Sequence, residues 1–77
     1  MDKDLARLIV ASAMRAASEL GALVPLVGEH APDESLKLGI ATAVAEISFN
    51  ILQPVFGEHP DLEAEFAARI EKYGRAS

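Results

Sequence analysis

The segment Pro25-Leu26-Val27-Gly28-Glu29-His30-Ala31-Pro32-Asp33 returns almost intact as Pro54-Val55-Phe56-Gly57-Glu58-His59-Pro60-Asp61. The offset is 29 residues between the leading prolines and 28 between the aspartates. A proline inside a helix removes one backbone donor and crowds the carbonyl four residues earlier. Those carbonyls belong to Gly21 and Asn50, both weak helix formers. Three residues after each proline a glycine offers the left-handed conformation that closes many helices. Each helix therefore kinks or ends at its proline, and each copy reads as a helix end, a Glu-His connector and a proline that presets the next helix. Two such junctions divide the chain into three helices, about 2–27, 33–56 and 60–73.

Between the junctions the apolar residues recur at helical spacing. In the first helix Leu5, Leu8, Ile9, Ser12, Ala16, Leu20, Leu23 and Val27 predict the buried face. Asp4, Arg7, Ala11, Arg15, Ser18 and Ala22 mark its wetter side. The second helix starts with Pro32 in its first turn or Asp33 as its cap. Its polar residues form one narrow stripe, Ser35, Gly39, Thr42, Glu46, Asn50 and Gln53. The remainder is apolar or small, so this helix needs cover on more than one side. The third helix opens at Pro60 with His59 at the cap position. Asp61, Glu63 and Glu65 come early and Arg69 and Lys72 late, the favourable sense for the helix dipole. Leu62, Phe66, Ile70 and Tyr73 form its apolar stripe, and Gly74 suits a left-handed stop. No alternating β-branched run and no Asn-Gly or Asp-Gly turn is present, so strands are not expected. The expected fold is all-α and a single domain over 1–77. Two long helices form an antiparallel hairpin, because short connections turn neighbours back on each other, and a shorter C-terminal helix packs across them.

A chain of 77 residues buries only about 60% of its unfolded surface. It has no cysteine, so no disulfide supports it, yet 51% of it is hydrophobic. Association of copies enlarges such a core. A homodimer is expected, centred on the second helix with Leu36, Ile40, Ala43, Val44, Ile47 and Ile51 at the interface. Gly39, Ala41, Ala43 and Ala45 allow close helix approach. The net charge of −5 argues against nucleic acid and against anionic membrane surfaces. Lys37, Glu46, Asn50, Gln53 and Pro54 in the second helix, and Arg7, Arg15 and Glu19 in the first, argue against a membrane span. Met1-Asp2-Lys3-Asp4 lacks the basic start of a secretory signal, and a cytoplasmic location is expected.

Glu29, His30, Glu58 and His59 are the residue types that bind divalent metal ions. Their placement opposes that use: the copies end successive helices, which an antiparallel hairpin sets far apart. No Glu-x-x-His pair supplies two ligands from one helix face. Capping and connection is the first reading, and a small-ligand or divalent-metal-binding bundle the alternative. Asp33-Glu34-Ser35-Leu36 resembles the start of the second helix in acyl carrier proteins, which carry Asp-Ser-Leu there. That resemblance implies a phosphopantetheine on Ser35, with Glu34 standing where the family has aspartate. Glu46 reads as part of a solvated stripe or a polar seam that fixes helix register. Phe49, Phe56, Phe66 and Tyr73 lie at helical spacing and read as core. No nucleophile-and-base pair, Gly-x-Ser-x-Gly elbow or phosphate-binding glycine loop occurs. No enzyme activity and no cofactor are expected. The sequence favours a non-enzymatic helical protein-interaction or structural module that binds itself, with a different protein as the other candidate partner.

Overall fold

A computed structural model describes residues 1–30 and 33–74. Pro32, considered above for the start of the second helix, and the tail Arg75-Ala76-Ser77 lie outside them. The described residues form three helices and no strand: α1 over Lys3–His30, α2 over Glu34–Glu58 and α3 over Pro60–Tyr73. α2 is α-helical over Glu34–Ile47 and Gln53–Glu58, with a π-helical segment at Ser48–Leu52 between.

The helix ends follow local chemistry. The Leu5 amide donates to the Asp2 carboxylate at 3.2 Å. The Leu36 amide donates to the Asp33 carboxylate at 3.1 Å, which makes Asp33 the cap of α2. His59 precedes α3 without a side-chain capping bond, and Pro60 sits in the first turn, where a missing N–H costs nothing. Gly74 closes α3 at φ 73°, with its amide on the Ile70 carbonyl at 2.8 Å.

The two glycines do not act as the repeated phrase predicts. α1 continues through Pro25 to His30 and contains Gly28, while α2 continues through Pro54 and Gly57 to Glu58. Gly74 alone among the described residues has positive φ, so Gly28 and Gly57 are ordinary helical residues and not left-handed stops. Two physical circumstances permit this. Pro25 leaves the Gly21 carbonyl without its usual donor, but Gly21 is exposed and open to solvent. Pro54 lies two residues past the π segment, whose closing bond runs from the Gln53 amide five residues back to the Ser48 carbonyl. That wider turn relieves the crowding a proline ring imposes on the preceding turn.

The core gathers at one end of the molecule. Ala6, Val10 and Ala13 of α1, Val55 of α2, and Leu62 and Phe66 of α3 are buried. Ile9, Ala11, Met14, Leu52 and Phe56 pack around them. The rest of α1 and α2 meets along a single seam. Ala17, Leu20, Val24 and Val27 on α1, and Ile40, Val44 and Ile47 on α2, are half-buried there. No residue of Glu34–Ile47 is fully buried. The inner face of α1 is rotated from the one its leucines predict, for Leu5, Leu8 and Leu23 are 48%, 66% and 43% exposed. Alanines 6 and 13 take the inside because small side chains let three helix backbones converge. Arg7 and Ala11, on the side predicted to be wet, are half-buried.

The result is long and thin. The radius of gyration is 14.1 Å, against about 11.5 Å for a compact chain of this length. The extents are 42 × 25 × 15 Å, and the smallest is little more than the ~10–12 Å diameter of one helix with its side chains.

Candidate functional site

The two Glu-His copies have separate surroundings. Glu29 and His30 are exposed and reach only each other, at 3.8 Å. Glu58 accepts a hydrogen bond from the terminal ammonium of Met1, and His59 Nε2 lies 3.0 Å from the Met1 carbonyl oxygen. The ammonium's hydrogen bond, then its charge, holds the Glu58 carboxyl below the usual range. Lys3 pairs with Asp61 and lowers its carboxyl in the same way. The second copy thus fastens the start of α1 to the corner between α2 and α3. The structure does not bring the copies together. Among the described residues no group of three His, Cys, Asp or Glu side chains is placed to hold a metal ion.

A second tie was not legible in the periodicity. Arg7 grips Glu65 with two guanidinium nitrogens, Nε and Nη2, each 3.1 Å from a carboxylate oxygen. Arg69 Nη2 shares that carboxylate at 3.1 Å, and Arg7 also reaches Asp4 at 3.3 Å. The Arg69 guanidinium stacks over the Phe66 ring, 4.5 Å from its centre. Glu65-x-x-x-Arg69 was visible as an i, i+4 pair; its link to Arg7, 58 residues away, was not. The Arg7 hydrogen bonds, followed by the Arg7 and Arg69 charges, keep the Glu65 carboxyl below the ordinary range, while Arg7 is raised.

These shifts fix the sign of the pH response. Glu58, Asp61 and Glu65 are depressed on folding, so their contribution is complete above the unfolded carboxylate pKa of about 4. It is lost as pH falls through the lower folded values. Urea midpoints are expected to be flat from about pH 5 to 7 and to drop on further acidification. Glu65→Gln is expected to flatten the acid limb; an unchanged limb would remove Glu65 from the account.

Ser35 is exposed in the first turn of α2, beside the Glu34–Lys37 pair at 3.8 Å. Glu46 is exposed and accepts a bond from the Asn50 amide. It lies, with Ser35, Gly39 and Thr42, on the side of α2 opposite the seam.

The surface also carries an extended apolar region. An open groove of about 530 Å³ is lined by Leu8, Ile9, Ser12 and Ala13 of α1 and Ile51 of α2. Along the helices Leu23, Leu26, Leu36, Leu38 and Phe49 are also exposed, between 43% and 69%. Of the six interface candidates on α2, Leu36, Ala43 and Ile51 are open, and Ile40, Val44 and Ile47 give part of their surface to the seam. Of the four aromatics, only Phe66 is fully buried; Phe49 and Tyr73 are exposed. α1 and α2 are both long and apolar enough to cross a membrane by length and composition. The fold and surface define an all-α chain with an exposed apolar face. Comparison with protein-family models, curated proteins and solved structures gives no match.

Proposed function

We propose that this chain is a non-enzymatic helical interaction module whose partner is a second copy of itself. In this reading α1 and α2 form an antiparallel hairpin, and the open side of the hairpin is the interface, with Leu36, Ala43 and Ile51 of α2 inside it. The observation that carries the proposal is the absence of any buried residue along Glu34–Ile47, a segment of apolar and small side chains apart from Glu34, Lys37 and Glu46. The surface area supports it. The chain exposes 5133 Å², against about 4500 Å² for a folded monomer of this mass. The excess of roughly 600 Å² approaches the ~800 Å² that each partner buries in a standard interface.

Charge placement favours a protein partner over a bilayer. Arg15 and Glu19 lie near the middle of α1, and Glu46 is the midpoint of α2. Ionised groups at mid-membrane depth cost about 2.5–3.5 kcal/mol each on insertion scales. The net charge of −5 likewise disfavours nucleic acid, and the reading carries with it a cytoplasmic location. The groove has the volume of a small-ligand site, but only Ser12 gives it a polar side chain, too few for specific small-molecule recognition. Sedimentation equilibrium or light scattering on the purified chain tests the proposal. A dimer at micromolar concentration is expected, and a stable monomer there would sink it.

A further inference from the structure

Resting on the self-association proposed above, but moving its centre from the α2 residues to α1, we infer that the two copies meet through α1, antiparallel about a twofold axis, with Arg15 of each opposite Glu19 of the other. The row Leu8, Ser12, Arg15, Glu19, Ala22, Leu26 advances along α1 in steps of three and four residues and is exposed throughout. It reads the same from either end: leucine, small residue, charge, opposite charge, small residue, leucine. An isologous interface demands that property, since residue i meets j where j meets i. Antiparallel pairing about the centre of the row sets Leu8 against the partner's Leu26, Ser12 against the partner's Ala22, and Arg15 against the partner's Glu19. The groove beside Leu8 and Ser12 then receives the partner's Leu23 and Leu26.

The charges choose this occupant. Arg15 and Glu19 make no ion pair among the described residues; Lys3, Arg7, Lys37 and Arg69 each do, and Lys72 lies instead over the Tyr73 ring. They are four apart on one helix, but with the cation first, the weaker of the two orders for a pair within a helix. Across an antiparallel dimer they form two symmetric opposite-sign contacts. In a parallel dimer each would face its own like. Two chains of charge −5 repel overall, so local complementarity is what selects the register.

Charge reversal tests this. Arg15→Glu leaves two acids in the row and Glu19→Arg two bases, so each variant alone is expected to dimerise about tenfold more weakly or worse. An equal mixture of the two is expected to form a heterodimer of wild-type affinity, because every facing pair is again opposite in sign. A change acting only within one helix is not repaired by mixing. Circular dichroism checks that both variants keep their helix content. Because the chain has no cysteine, Leu8→Cys and Leu26→Cys give an independent measurement. Mixed and oxidised, they are expected to form a heterodisulfide. Neither is expected to cross-link with itself, since like positions lie roughly 27 Å apart along the helix. A wild-type monomer overturns both this inference and the self-association. A wild-type dimer that the reversals leave untouched, or whose reversed variants mixing fails to restore, overturns the register alone.

Discussion

Phe66→Ala is expected to lose about 3–5 kcal/mol of folding stability, the cost of removing a fully buried phenylalanine and leaving its cavity. A chain of this length has roughly 4–12 kcal/mol in total, so one side chain holds a large share of it. Phe66, Leu62, Val10 and Ala6 all have 0% exposure and touch in one cluster, and no second cluster of buried residues exists elsewhere among the described residues to absorb the loss. The Arg69 guanidinium also loses the ring it covers. Thermal unfolding at fixed protein concentration, which keeps any association constant, should show a midpoint lower by at least about 12 °C. Tyr73→Ala, on the same helix but 66% exposed, should change stability by no more than about 0.5 kcal/mol. Equal losses at the two positions would mean the core is not where α1, α2 and α3 converge.

Pro25→Ala is expected to act in the opposite direction and stabilise the chain by about 2 kcal/mol. Proline in a helix interior costs about 3 kcal/mol relative to alanine. Its removal returns about 0.4–1 kcal/mol of freedom to the unfolded chain, which offsets part of the gain. Pro25 is exposed, so no packing is lost. Pro54→Ala should gain less, because the π segment before it has already opened the turn. Urea unfolding of the two variants separates these cases. A fall in stability at Pro25→Ala would show instead that the proline bends α1 to fit the seam with α2.

The chemistry of helix ends was legible wherever it depends on neighbouring residues alone. Asp33 as one candidate cap, Pro60 as a first turn and Gly74 as a left-handed stop follow from side-chain size and donor count. Gly28 and Gly57 misled as stops because the donor missing at Pro25 and Pro54 is a local cost that an exposed carbonyl or a wider turn can absorb, so each helix runs on. The inner face of α1 misled for a different reason. Periodicity reports where large apolar residues lie, and in this chain alanine occupies the closest approach while the leucines stay outside. Those same leucines, misplaced as core, are what make the open face of the molecule. The Arg7–Glu65 grip lay beyond reach because nothing in a linear pattern pairs residues from α1 and α3.

Concentrating the core at one end also governs when it forms. Ala6 and Val10 meet Val55, Leu62 and Phe66 across separations of more than forty residues. Helical proteins are usually rich in local contacts and fold quickly on that account. Here the first hydrophobic nucleus closes a loop that contains both long helices, and that loop's entropy must be lost before any buried contact offsets it. During synthesis α1 emerges with Ala6 and Val10 uncovered, and they stay so until Phe66 has left the ribosome. For most of its birth the chain is a pair of apolar helices without a core, a state in which a waiting neighbour is the nearest shelter.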